Sequence, residues 1–539
     1  MNLPDVQATV GIVASSHPKT TAAGLHLLRI GRNAVGAALV EMVVEPERNG
    51  LGGYDGCMVI YRSEFQAVVE VDYNGAAPLA ARSDMYDMTP SGDKKDPNAA
   101  EYGVRGRDPA NRYGYRAISV LGTVDGLATA LTYYSTKSWA EVSTPAIEVA
   151  ETGVRLIEKT VRSIRTNAVH LRQFPATCNL MMPGGRLPKA GELLLIPDVA
   201  NTLKTLRDDG PQSFYEGAMA TTMAKHVQLQ SGILSVEDLK QYRARIRQPL
   251  QTNYRGYDIF TPPLSNGGAT TLQILNILEA FDIPALVGRA GEKLPPADYA
   301  HLFLEACKCA RQDWLTHFGD PEFVDVPSDK ILSKAYAIEL ATCIRDRVKI
   351  SSTSTAHGCT MQLSVMDGDC NIVSLTQTHG NGFGSFVTAP RTGIILNHGM
   401  WRFDPSEGKQ NNITPGKRVL NNTSPLLILR QGQPYASLGK PGGKRILTGR
   451  AQLVVNLLDF GLAPTAALVV ARFHCQIEGP VWLERRASDS LYQNLIDRDH
   501  QVEWHDQVGS GSQLIVVDQA TQTLRAGVDT RSDAWGQGI

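Results

Sequence analysis

With 539 residues, 42% hydrophobic and 20% charged, the chain can bury a large core, and its length alone would suggest several domains. A formal net charge of −1 with no basic block argues against a nucleic-acid or anionic-membrane partner and favours small-molecule chemistry. No run approaches the roughly 18 apolar residues of a membrane span, and the stretch Met1 to Gln7 lacks the basic start and apolar centre of a signal peptide, so a cytoplasmic location is expected.

In chain order, a short strand over 11–14 leads into an alanine-rich helix over 19–39. A glycine-rich turn over 50–56 then precedes a strand over 57–61. A dinucleotide fingerprint needs strand, glycine loop and helix in that order, so the loop-then-strand order excludes it. Residues 83–107, rich in Asp, Lys, Pro and Gly, read as a surface loop. Helical periodicity follows over 124–134, 145–158, 198–207, 218–228, 269–280 and 298–311, with Thr144 and Pro145 as N-cap and first helical residue. Strand patterns return after Thr360, followed by a loop over 405–416 and a helix over 449–460. There is no internal repeat, and one large two-part body with sheets clad by helices is expected.

The eight cysteines are scattered, and only Cys307 and Cys309 lie close together. That pair has no zinc-spacing partner, and a helix would point its thiols apart, so reduced and mostly buried thiols are expected, with no metal and no cofactor.

The stretch from His357 to Asp367 carries the chemistry. Ser351, Ser352, Thr353, Ser354, Thr355 and Ala356 form a small polar run before Gly358, Cys359 and Thr360. Strand, tight turn and strand follow, with Asp367, Gly368 and Asp369 at the turn. A threonine released at a new amino terminus has both a nucleophile and a base, its α-amino group having a pKa of about 7.7–8.0. Cleavage between Cys359 and Thr360 would divide the chain into a large segment, 1–359, and a small one, 360–539, which remain one structural unit. Cys359 with His357 nearby is the competing nucleophile, and a plain hairpin is the alternative without chemistry.

Further landmarks stand in order along the chain: Gly50 to Met58, Ala77-Pro78, Gly122 to Leu127, Phe214 to Gly217, Pro262-Pro263 with Gly267-Gly268, and Glu305-Ala306. Phe383 to Ser385, Gly393 to Asn397, Ser424-Pro425 and Pro441 to Ile446 complete them. On these residues the chain resembles the γ-glutamyltransferase family of N-terminal nucleophile hydrolases. The resemblance implies an α+β fold, a four-layer αββα sandwich built from two associated fragments, with a dimer of such processed heterodimers as one possible assembly. It also implies Thr360 as nucleophile, Thr378 as the threonine that orients it, and the N–H groups of Gly442 and Gly443 as the oxyanion hole. Taken by itself, Thr378 is only a good strand former and Pro441 to Gly443 an ordinary turn.

The substrate positions depart from the family pattern. Asn74 stands where the family has the arginine for the α-carboxylate, and Arg402 where it has the acidic residue for the α-amino group. Gly380, Gly399 and the pair Asn421 and Asn422 replace an asparagine, a glutamine and two serines. A buried guanidinium repels an ammonium and holds a carboxylate. Arg402, Asn74, His379, Trp401, Asn421 and Asn422 are therefore candidate contacts for a small amide that bears a carboxylate and no amine. Each has a structural alternative: a core tryptophan, a satisfied buried imidazole, or asparagines bonded to backbone. Within the family, this pocket best suits the oxamate amidohydrolase branch, cytoplasmic enzymes of uric-acid breakdown; many other members are exported. A γ-glutamyltransferase or glutathione hydrolase that recruits Arg82 and Asp404, a cephalosporin- or glutaryl-type acylase, and an uncut binding protein remain open.

Overall fold

The strand Met361–Asp367 is buried throughout and sorts its side chains at period two. Leu363 and Val365 join Met58, Ile60 and Leu375 against the helix residues Leu39, Val43 and Val142. Met366, on the opposite face, joins Ile12, Val59, Tyr61 and Ile372 against Leu427, Leu429 and Ile515 of a second sheet. One face of this sheet therefore meets helices and the other a sheet. On the far side, Ile259, Ile428, Leu438 and Leu514 of the second sheet pack on Leu272, Leu275, Phe303 and Leu453 of another helical layer. The result is the four-layer helix–sheet–sheet–helix sandwich implied by the family resemblance, with the inner apolar layer between the sheets.

The computed structural model describes residues 4–31, 34–86, 109–286, 294–345, 360–404, 408–475, 479–531 and 535–539. The first sheet has the spatial order Trp535–Gly538, Gly11–Ser15, Met361–Asp367, Ile372–Thr378, Asp55–Arg62, Ala67–Asp72 and Arg245–Arg247. The second runs Val6–Ala8, Thr523–Ala526, Gln513–Asp518, Gln433–Gly439, Leu426–Arg430, Tyr257–Thr261 and Leu250–Tyr254. Every pairing in both sheets is antiparallel. Each sheet contains strands from both before and after Thr360, so neither segment has a complete sheet of its own. No helix among the described residues is long and apolar enough to cross a membrane.

Most periodic segments form close to their expected places, including Thr123–Tyr134, Pro197–Asp209, Gly217–Leu229, Gly268–Glu279 and Arg445–Leu458. The helix expected over 145–158 does not start at Pro145. It spans Trp139–Thr152, because Ser138 and Glu141 form a reciprocal capping box that satisfies the first free N–H groups, and Pro145 lies inside it. The single helix expected over 19–39 is two, Pro18–Gly31 and Ala34–Val44. Cys307 and Cys309 are buried thiols on the helix Ala297–His317. The expected scissile segment, with His357 and Cys359, lies outside the described residues, as does most of the loop over 83–107.

Candidate active site

The register of the first sheet builds the site. Met361 pairs with Gln377, so the next residues along the two strands, Thr360 and Thr378, are neighbours. Thr378 pairs with Asp55. Beyond Asp55, Cys57 pairs with Asp72, and the backbone bonds from Tyr73 N to Gly56 O and from Gly75 N to Tyr54 O carry that alignment on to Asn74. Residues opposite one another on adjacent strands share a face. Thr360, Thr378, Asp55 and Asn74 therefore form a row across four strands, on the face turned toward the second sheet, and all four are buried.

Behind this row the inter-sheet layer is polar instead of apolar. Gln362 Nε2 donates to Ser374 Oγ at 3.1 Å, and two contacts cross between the sheets, Ser374 Oγ to Leu438 O and Ser437 Oγ to Ser364 Oγ, each at 3.1 Å. At its centre lies Arg450, fully buried on the helix Arg445–Leu458. Its guanidinium donates to Ser424 Oγ at 2.6 Å, Thr376 Oγ1 at 3.0 Å, Gln362 Oε1 at 3.2 Å and Lys440 O at 3.3 Å. Burial lowers its pKa to about 9, so it stays cationic at neutral pH. Gln362 is two residues from Thr360, Thr376 two from Thr378 and Lys440 two from Gly442, so one side chain ties together the supports of all three. Arg450→Met, which leaves those acceptors unmet, is expected to lower stability by about 2–5 kcal/mol, read by thermal unfolding.

Gly442 and Gly443 follow the strand Gln433–Gly439 and precede the helix Arg445–Leu458, with φ of 133° and 60°. These angles suit glycine and little else. Ser510 Oγ donates to Pro441 O at 2.9 Å and Arg445 Nε to Gly442 O at 3.2 Å, which fixes the turn. Among the described residues no acceptor meets either glycine N–H. Two fixed donors at a helix N-terminus are suited to a developing negative charge. A side chain at Gly439 would collide with the Gln362 amide, so the strand ends carrying Thr360 and this turn approach closely.

Thr378 Oγ1 accepts from Gly380 N at 2.9 Å and lies 3.0 Å from Gly380 O and 3.4 Å from Arg48 O, which holds the hydroxyl in place. If its work is to orient the nucleophile, Thr378→Ala should lower kcat roughly tenfold to a hundredfold with KM little changed. A hydrogen bond to a charged group contributes about 1.5–3 kcal/mol. Steady-state kinetics on protein already verified as cleaved checks this.

The substrate candidates divide into two groups. Arg402 is buried on the turn Gly399–Arg402, and its Nε donates to Tyr54 Oη at 2.8 Å. Asn74 Nδ2 donates to Asn266 Oδ1 at 3.0 Å and Ser265 Oγ at 3.2 Å, and Asn421 Nδ2 donates to Asn74 Oδ1 at 3.2 Å. Asn74 and Asn421 thus build one amide network at the end of the row, and Asn421 Oδ1 is buried with no donor among the described residues. Trp401 lies against the Arg402 guanidinium, which is 5.6 Å from the Trp401 ring, while His379 turns one nitrogen to the backbone. His379 Nε2 bonds Glu47 O at 2.9 Å, and burial lowers its pKa to about 4, so the ring is neutral. Trp401 packs between His398, at 5.2 Å between ring centroids, and the Arg112 guanidinium, 5.2 Å from the Trp401 ring. Asn422 is buried beside Ser424, which donates to its carbonyl oxygen at 3.4 Å. Arg82 forms a surface ion pair with Asp84 at 2.7 Å and does not reach the row. A cleft of about 260 Å³ lined by Tyr242, Arg243, Arg245 and Arg418 abuts the back of Asn74 and contains none of the row's side chains.

Sequence reasoning missed Asp55 and Tyr54. Asp55 accepts from Thr423 Oγ1 at 2.8 Å, and the same hydroxyl lies 2.9 Å from Asn266 Oδ1. One hydroxyl hydrogen cannot serve two acceptors, and since Asn266 Oδ1 already receives Asn74 Nδ2 at 3.0 Å, the Thr423 hydrogen is available to Asp55. Burial pushes the Asp55 carboxyl up to about 7, against the Thr423 hydrogen bond and the Arg402 charge. The row thus contains an acid that titrates near neutral pH beside the candidate carboxylate-binding arginine, a combination typical of functional sites. The one signal in the sequence was a charged residue two positions before the apolar run Cys57 to Tyr61.

The family model described as Gamma-glutamyltranspeptidase matches residues 20–538. The acylase ACY 1 proenzyme of Pseudomonas sp. (strain V22) is 34% identical, over 94% of this chain and 89% of the relative. The glutathione hydrolase proenzyme of Escherichia coli (strain K12) is 30% identical, over 95% and 89%. Among solved structures, the cephalosporin acylase of Bacillus halodurans superposes with a TM-score of 0.87 at 26% identity, covering 100% of this chain and 97% of that one. The γ-glutamyltranspeptidase of Helicobacter pylori gives 0.55 at 30% identity, over 64% and 93%. The fold, the row headed by Thr360 and these likenesses agree: the chain belongs to the γ-glutamyltranspeptidase family.

Proposed function

We propose that the protein is a self-processing amidohydrolase that cleaves a small carboxylate-bearing amide, oxamate being the best fit, to the diacid and ammonia. The observation that carries this reading is the buried guanidinium of Arg402 beside a row that begins at Thr360 and includes an acid that titrates near neutral pH. Relatives named as proenzymes support cleavage into two fragments that stay associated, and the interleaved strands support their association. In this reading the freed Thr360 hydroxyl attacks the amide carbon while its α-amino group takes the proton and delivers it to the leaving ammonia. Gly442 and Gly443 N–H receive the oxyanion, and water then opens the oxalyl ester by the same base. Arg402 holds the substrate carboxylate, and protonated Asp55 adds no competing negative charge to the row.

A second reading has one observation in its favour. An ionised Asp55 beside Arg402 would offer an acid and a base to an α-amino acid, as a glutathione hydrolase requires. The sign of the pH dependence separates the two. Asp55 is neutral below about 7 and charged above it. For a carboxylate substrate without an amine, KM should therefore rise as pH climbs past 7, and Asp55→Asn should flatten that limb. For an ammonium-bearing substrate KM should fall over the same range, and Asp55→Asn should abolish binding. The deciding assay measures ammonia from oxamate and p-nitroaniline from γ-glutamyl p-nitroanilide on one matured preparation across pH 5–9. Preference for the anilide, with KM falling as pH rises, would replace the oxamate reading.

A further inference from the structure

On the far side of the molecule, the helix Ala297–His317 carries His301 and Glu305 one turn apart, on the same face. The helix Asp489–Asp497 ends where Asp499 takes a left-handed φ of 64° and His500 N bonds back to Leu495 O at 3.1 Å, a turn that aims the buried His500 at that face. His301 Nδ1 lies 2.9 Å from His500 Nε2, and His500 Nε2 lies 3.9 Å from Glu305 Oε1. One ligand atom from each residue lies within 4.8 Å of the other two. Metal bonds of about 2.0–2.1 Å in a tetrahedral zinc site put ligand atoms about 3.3 Å apart, and the two measured separations bracket that value. The spacing was hidden in the sequence because the third residue comes from 195 positions further along the chain.

We propose that His301, Glu305 and His500 form a site for one divalent transition-metal cation of the zinc class, with water as the fourth ligand. Two imidazoles and a carboxylate are a ligand set such ions favour. The two ring nitrogens at 2.9 Å share a single hydrogen between them. The donating ring need only move that proton to its other nitrogen for both lone pairs to face a cation, with no oxidant and no net proton loss. One competitor is visible: Lys308 Nζ donates to Glu305 Oε1 at 2.6 Å and must swing toward solvent or leave the other carboxylate oxygen to the metal. The remaining charges nearby are Arg498, paired with Asp298, and Asp499. His301 and Glu305 precede Thr360 and His500 follows it, so a bound ion would clip the two segments together. That consequence rests on the processing reading; the binding itself does not.

The test uses the full matured protein stripped with EDTA and then titrated with zinc chloride or cobalt chloride. Metal uptake is measured by equilibrium dialysis, cobalt geometry by visible absorption, and stability by thermal unfolding. The expected result is one tightly held equivalent per chain, a tetrahedral cobalt spectrum, and a rise in Tm of about 2 °C at a hundredfold excess over Kd. Because His500 is buried, Glu305→Gln and His301→Asn carry the test, and both should lose the equivalent and the Tm rise. Lys308→Met should keep the site and tighten it, since the competing ammonium is gone. The uncut Thr360→Ala chain should bind as well as the mature protein, which keeps this outcome independent of processing. Uptake that persists in Glu305→Gln and His301→Asn would belong to thiols such as the exposed Cys343 and would overturn the assignment, as would no uptake by the wild type.

Discussion

Thr360→Ala is expected to remain one 58.6 kDa chain on a denaturing gel and to release no ammonia from any amide acid. The wild type should give fragments of 359 and 180 residues. The effect is this large because, in the proposed mechanism, one side chain serves two reactions: its oxygen must attack the peptide bond that precedes it before it can attack a substrate. Alanine removes the oxygen from both steps and leaves the buried strand intact. Thr360→Ser keeps an oxygen at nearly the same place and should mature slowly and retain activity. An alanine variant that still cleaves would move the nucleophile elsewhere, with Cys359 the first candidate.

Arg402→Ala should cleave itself normally yet lose more than roughly a hundredfold in kcat/KM toward oxamate, because breaking a desolvated charge contact costs about 2–5 kcal/mol. Processing is spared because Arg402 lies toward Asp55 and Tyr54, away from the Thr360 end of the row. Arg402→Lys should recover little, since one ammonium cannot reproduce a planar guanidinium that already spends its Nε on Tyr54. Kinetics on the gel-verified mature variants read both effects. Unchanged oxamate turnover in Arg402→Ala would remove this residue from the pocket.

What the sequence could and could not reveal follows from the range of each interaction. Thr360, Thr378, Gly442 and Gly443 stand in local motifs whose spacing survives in one dimension, and the register of the first sheet then sets the two threonines side by side. The long helices were legible for the same reason, because a periodic apolar face is a local property. The start of the helix Trp139–Thr152 was misplaced because a proline was weighted above a capping box that opens seven residues upstream, at Ser138. Asp55 was hidden in a glycine-rich stretch that reads as a turn, and its importance comes from Thr378, Arg402 and Thr423, none of which is near it in sequence. Arg450 was equally hidden, since a charged residue in an amphipathic helix is usually on the solvent face and this one is buried between the sheets. His379 and Trp401 are close in sequence to Thr378 and Arg402, but Glu47 O, the partner of the one, and Arg112, which packs on the other beside His398 and Arg402, come from distant parts of the chain.

The most direct test of the central claim is the intact mass and amino-terminal sequence of the small fragment from freshly purified wild-type protein. A fragment that begins at Thr360 with a free α-amino group is expected. A fragment that begins at Cys359, or a single uncut chain with full amidase activity, would contradict it.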